Sequence, residues 1–362
     1  MPPFTSRYVS LDHWRGIAAL WVLGFHASYR WITPATGPLG WLHQFADLGW
    51  FGVHLFFVIS GYCLAERAAR NLSHDEGVLS FVRDRACRIF PLYWVVLVLS
   101  LALAAVATPF NHLPLFMTSD GSGALPGSAW VYIREAALLS PWCNETPYVL
   151  ISWTLTSELA FYLLVAVGLG LIRVVRRPAI PLMIGFVLAA AQASRLLEFR
   201  VHVLEGWPEF ICGMLVWLVL RPDVANNIRG AACSGIVALG TLGFINHLHI
   251  LSGAAGFALL LILLKRVDGR LARMPLLRVL GMIGVFSYSL YLIHLPIISP
   301  MQNLLHRLLT APDHRAWIPV VLGTVAVLSA WVLYRWVERP LESWRRHSRL
   351  AIDSPVVTVP VK

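Results

Sequence analysis

Arg15 and His26 stand on one apolar stretch, RGIAALWVLGFHA, with ten residues between them. Eleven steps at 100° bring a helix back to within about 20° of its starting direction, so both side chains fall on one stripe. At about 1.5 Å per residue they differ in depth by about 16 Å, near half a bilayer core. An ionisable group inside a membrane is costly unless it faces a cavity or a partner. A guanidinium grips anions, and an imidazole exchanges protons near neutral pH. The pair therefore outlines a polar path into the membrane, on the condition that both side chains line one continuous void. The other reading is an arginine snorkelling at the inner interface and a core histidine bonded to a neighbour.

Four further stretches carry chemistry-bearing residues. In RDRACRIFPLYW (83–94), Arg85 and Arg88 are three apart and share a helix face. Their forks suit phosphate, although basic residues at an inner loop also arise as plain positive charge. In FFVISGY (56–62), Ser60 offers a hydroxyl and Gly61 lets backbones approach closely. In SWTLTSELAFYL (152–163), Glu158 is a membrane carboxylate with no basic neighbour in sequence, so its partner must come from another helix. It either orients a histidine, holds a substrate hydroxyl or makes a structural hydrogen bond. In FSYSLYLIHLPI (286–297), Tyr288, Tyr291 and His294 recur every third residue and drift around the helix by about 60° per step. The ERPLE segment (338–342) reads as a structural helix end. His247-x-His249 is too sparse for a metal site, and no metal is expected.

The elements that position these residues follow from composition. Of 362 residues 57% are hydrophobic and 13% charged, where a soluble domain carries about 25% charge. A soluble protein is thereby set aside, and the fold class is an all-α polytopic membrane helix bundle. Apolar runs give about ten spans, near 14–32, 50–68, 90–109, 150–172, 179–195, 206–221, 231–246, 248–264, 280–298 and 317–336. The 231–264 stretch reads as two short helices or one long one broken at Asn246–His249. With both termini cytoplasmic, all but Arg30, Arg134, Arg195, Arg200, Arg307 and Arg315 of the 29 Lys and Arg fall inside. The net charge of +10 then faces anionic headgroups or an anionic soluble ligand and needs no nucleic acid. Of the five cysteines only Cys143 falls in an outer loop, which argues against a disulfide framework. The outer segment 110–149 is long enough for a lid or a re-entrant piece.

Taken together, Arg15-x10-His26, FFVISGY, Arg85-x-x-Arg88 running into FPLYW, WTLTSE with Glu158, and SYSLYLIH resemble the integral-membrane acyltransferase family 3. That group includes O-antigen and exopolysaccharide acetylases. The resemblance implies an acyltransferase domain over 1–349 and a short disordered cytoplasmic tail over 350–362. It implies an O-acetyltransferase of the bacterial inner membrane, with no bound cofactor and acetyl-CoA (or another acyl-CoA) as co-substrate. The acceptor would be a hydroxyl of a cell-surface glycan, an exported exopolysaccharide or a lipid-linked saccharide. On this resemblance His26, Glu158 and Arg15 are the catalytic set; Arg85, Arg88, Ser60, Tyr288, Tyr291 and His294 hold the acyl-CoA. Membrane lipids are the remaining partners. The competing function is a membrane transporter or exporter of a glycan or small polar substrate, for which paired inverted halves would be the sign.

Overall fold

A chain this apolar has no water to satisfy its backbone inside a bilayer, and only helices meet that need within a single segment. In the computed structural model, residues 8–29, 40–107, 127–143, 145–177, 179–196, 202–204, 206–308 and 317–345 are described, and among them no strand occurs. The helices are α1 (Leu11–Ser28), α2 (Gly40–Asp47), α3 (Gly52–Ser73), α4 (Val78–Ala107), α5 (Ala129–Ala136), α6 (Ser152–Val175) and α7 (Ala179–Ala193). They continue as α8 (Trp207–Leu220), α9 (Asn226–Ile245), α10 (His249–Leu264), α11 (Asp268–Leu271), α12 (Pro275–Val285), α13 (Ser287–Leu308) and α14 (Trp317–Leu333). The 350–362 tail, residues 108–126 of the long outer segment, Arg30, Asn144 and Arg200 lie outside the described residues.

All ten expected spans fall on helices, but they are not alike. Among the described residues six stretches are long and apolar enough to cross a membrane, those built on α3, α4, α6, α9, α10 and α14. α12 and α13 pass together only as a bent pair, turned by 78° at Phe286. α7 and α8 have 15 and 14 residues, about 22 Å and 21 Å at 1.5 Å per residue, short of a ~30 Å core. α1 has 18 residues but gives its first turns to Asp12, His13 and Arg15. The 231–264 stretch resolves into two helices, with His247 at φ 57° in the connection.

Close backbone contact joins α3 to α8. A Cβ built on Gly61 would lie 2.1 Å from the Phe210 carbonyl oxygen, and one on Gly213 would lie 1.9 Å from that of Val58. Hydrogen is the only side chain either position admits, and the Ser60–Gly61 pair thus does act in close packing. α1 packs against α12, α3, α13 and α14, which makes it a central helix rather than a peripheral one. Its start is fixed by Asp268, whose carboxylate accepts from the backbone N–H of Val9 (2.7 Å) and of Ser10 (2.8 Å).

At the other end of α3 a charged knot ties three helices. Arg67 Nη2 lies 2.6 Å from Glu76 Oε2 and 2.5 Å from Asp84 Oδ2. Arg173 of α6 donates to Asn71 Oδ1 (3.2 Å) and to the Glu76 carbonyl. The Arg67 hydrogen bond and charge hold the Glu76 carboxyl below the usual carboxylate range. All five cysteines are free thiols.

Candidate active site

A cavity of about 680 Å³ lies between α1, α3, α4, α6 and α13, within the usual span of small-molecule sites. Its longest wall is α3, where Val53, Phe56, Phe57, Ser60, Cys63, Arg67 and Arg70 recur at helical spacing. Those 17 steps cover about 25 Å at 1.5 Å per residue, so the cavity penetrates most of the bundle. Exposed Arg70 marks one end, and Glu342 and Arg345 also line the cavity. Val53, Phe56, Phe57, Thr154, Leu155 and Tyr291 form the apolar and aromatic far end. Six arginines line the cavity (Arg15, Arg67, Arg70, Arg85, Arg88, Arg345) against four carboxylates (Asp12, Glu66, Glu158, Glu342).

Those arginines divide into two kinds. Arg67 is ion-paired with Glu76 and Asp84, and Arg70 with Glu66 one turn away. Arg15 has only a long contact with Asp12 (3.5 Å) and one with the Cys63 sulfur (3.6 Å). Arg85 lies over the Tyr162 ring at 5.6 Å and keeps a buried Nε without a hydrogen-bond partner. Arg88 faces Tyr162, Glu158 and Glu338 electrostatically. No carboxylate among the described residues lies within ion-pair distance of Arg85 or Arg88. Arg85 and Arg88 are half-buried, and Glu158 and Glu338 act on Arg88 only from beyond ion-pair distance, so the guanidinium donors on this wall are left open to an anion.

The structure brings Arg15, Ser60, Arg85, Arg88, Glu158, Tyr288 and Tyr291 onto one surface. It does not bring His26 or His294 there. Neither lines the cavity, which corrects the expectation of one void shared by Arg15 and His26. The reason is the length of α1. It ends at Ser28, so His26 falls in its last turn. α13 closes the gap between that turn and the cavity. Tyr291 Oη lies 2.7 Å from Thr154 Oγ1 across the far end. His294 is buried one turn further on, its ring centre 4.9 Å from that of His26 with the two planes tilted by 58°. His294 is thus a wall residue behind Tyr291 rather than a contact to a ligand in the cavity.

Glu158 also has a different partner from the expected histidine. Its carboxylate accepts from the Tyr162 hydroxyl one turn along α6. The His26 ring is held instead by the Val22 carbonyl, 2.9 Å from Nδ1, and by His294 Nε2 at 3.3 Å. Tyr288 donates to the Ile89 carbonyl (2.9 Å), tying α13 to the helix that carries Arg85 and Arg88.

Two groups escaped the sequence analysis. Glu338, read as a structural helix end, sits in a π-type turn over Tyr334–Glu338, donated to by Ser289 Oγ at 2.5 Å and close behind Arg88. His54 Nδ1 of α3, half-buried, lies 3.3 Å from Oε1 of the buried Glu209 of α8. The signal for Glu209 was present: an acid in the apolar run WPEFICGMLVWLVL.

Comparison with known proteins agrees with the geometry. A family model described as an acyltransferase domain matches residues 8–335. The exopolysaccharide production protein ExoZ of Rhizobium meliloti is 29% identical over 311 residues, 83% of this chain and 91% of that protein. The acyltransferase MdmB of Streptomyces mycarofaciens is 26% identical over 381 residues, covering 94% and 93%. The O-acetyltransferase OatA of Staphylococcus aureus is 23% identical over 380 residues, 93% of this chain but 58% of that longer protein. No solved structure matches the chain.

Proposed function

Because the chain belongs to the acyltransferase domain family, and is an O-acyltransferase of the membrane, we propose that it moves an acyl group, acetyl first, from acyl-CoA to a hydroxyl of an exported or cell-surface glycan. The observation that carries this reading is the pair of arginines with no described carboxylate at ion-pair distance, Arg85 and Arg88, in a cavity about 25 Å deep along α3. Coenzyme A is a polyanion on a long thin arm. Its phosphates would meet Arg85, Arg88 and Arg15, while the pantetheine arm would run along Ser60 toward Phe56 and Tyr291. The apolar far end suits a short acyl group. On this reading the arginine end faces the cytosol, both termini lie on that side, and the membrane is the bacterial inner one.

The transfer needs no net proton. The acceptor oxygen attacks the thioester carbon and its hydroxyl proton passes to His26 as general base. The carbon–sulfur bond then breaks and the proton goes on to the thiolate of coenzyme A. His26 stands behind Tyr291 and outside the cavity, so on this reading the Tyr291 side chain moves aside for an acyl group brought up the cavity to meet an acceptor arriving from the far side of the bundle. Glu158 holds Tyr162 under Arg85 and so shapes the donor wall.

The test is twofold. Purified protein in lipid vesicles is expected to bind acetyl-CoA, and cells lacking the gene are expected to lose one acyl mass from a surface or secreted glycan. An absence of acetyl-CoA binding together with unchanged glycans rejects the proposal.

A further inference from the structure

The histidine pair contains enough geometry to assign its hydrogens. His26 Nδ1 lies 2.9 Å from the Val22 carbonyl oxygen. His294 Nδ1 lies 2.7 Å from the Tyr291 carbonyl and 3.2 Å from that of Leu290. Carbonyls only accept, so each Nδ1 carries a hydrogen. His294 Nε2 approaches His26 Nδ1 at 3.3 Å. A hydrogen on that Nε2 would point at the hydrogen already on Nδ1, so Nε2 must offer its lone pair and His294 is the neutral ring. The remaining ring nitrogen, His26 Nε2, is then the one free to take a proton.

We propose that His294 is a positioning residue, whose Nε2 shares the single His26 Nδ1 hydrogen with the Val22 carbonyl and so turns His26 Nε2 toward the acceptor hydroxyl. This deepens the acyltransfer reading above and rests on it. It also fills the role first expected of Glu158, whose carboxylate is bound to Tyr162 instead. The dyad is braced by a second link between the same helices. Gln302 of α13 donates to the His26 carbonyl (2.8 Å) and to the Ala27 carbonyl (3.3 Å), which fixes the last turn of α1. Ring spacing is therefore set through both side chain and backbone. Histidines that bind through one nitrogen owe their orientation to whatever holds the other, and loss of such a partner typically costs about 10–100-fold in function.

The experiment replaces the native copy with His294→Leu or His294→Gln. It measures O-acyl esters on surface and secreted glycans, and acetyl-CoA binding by each purified chain. Leucine removes the side-chain acceptor and leaves the Val22 carbonyl alone on the Nδ1 hydrogen; glutamine restores a side-chain acceptor, since its oxygen can share that hydrogen. The expected result is about 10–100-fold less ester transfer with leucine, acetyl-CoA affinity within twofold of wild type, and most of the transfer recovered with glutamine. Wild-type transfer by the leucine variant overturns the proposal. So does a loss confined to acetyl-CoA affinity, which would make His294 a donor contact. Should the leucine chain fail to fold, the glutamine chain decides: bound acetyl-CoA without transfer counts against the dyad. A wild-type chain that neither binds acetyl-CoA nor acylates any glycan defeats the acyltransfer reading itself, a distinct outcome.

Discussion

The arginine wall and the histidine pair occupy neighbouring parts of the bundle but hold their polar groups in opposite ways. Arg85 and Arg88 face open space without a carboxylate at ion-pair distance. Both imidazoles are tied to backbone carbonyls and to each other. On the proposed reading the wall binds and releases a diffusible polyanion, and it gains from cations without a carboxylate at ion-pair distance, because pairing them in advance would compete with the ligand. A proton-transferring ring gains from the reverse, since one tautomer and one direction are required. Tyr291 divides the two regions.

The largest effect that would sharpen this contrast is His26→Ala. Acyl transfer should fall about 10²–10⁴-fold, the usual contribution of a positioned general base, while acetyl-CoA binding persists. Equal loss of binding would erase the distinction between the regions. Next comes Arg88→Ala, which should weaken acetyl-CoA binding by about 10–100-fold, in line with ~1.5–3 kcal/mol for a hydrogen bond to a charged group. Arg88→Lys should recover only part, because a point charge lacks the two-pronged grip. Binding that ignores the substitution would remove the arginine wall from the donor site.

Gly61→Ala probes the scaffold behind the wall. Its methyl would meet the Phe210 backbone at α8, so a loss of about 1–3 kcal/mol of stability is expected, read as a lower melting temperature in detergent. The smallest effect concerns acid. Arg67 holds the Glu76 carboxyl below the usual range, so its contribution is present above the ordinary carboxylate pKa and is lost as pH falls through the lowered one. Glu76→Gln should therefore lower the melting temperature slightly near neutrality and converge with the wild type in acid, which flattens the decline on acidification. An unchanged acid profile would mean the knot at the end of α3 does not respond to pH.

Helix placement was legible because a bilayer leaves an apolar run no other way to satisfy its backbone. The Arg15–His26 spacing fixed a shared stripe, yet spacing says nothing about which neighbour covers that stripe, and α13 covers its far end. The break at Phe286 was hidden too. Neither Phe286 nor Ser287 is a helix breaker, whereas Pro296 and Pro300, which are, remain inside α13. Glu158 was noticed and Glu209 passed over although the same argument applies to both. What the residue types could not supply was the partner: Tyr162 for one, His54 for the other.

The sharp bend ahead of α13 has an electrical outcome. It starts a new helix at Ser287, and Ser287 and Tyr288 border the cavity. The opening turn of a helix presents amide hydrogens with no partner in its own spiral, equivalent to about half a positive charge. On the proposed donor reading, part of the attraction toward phosphate would reside in the main chain, where no titration and no single side-chain replacement removes it. Even a variant stripped of Arg85 and Arg88 should retain a faint pull on anions.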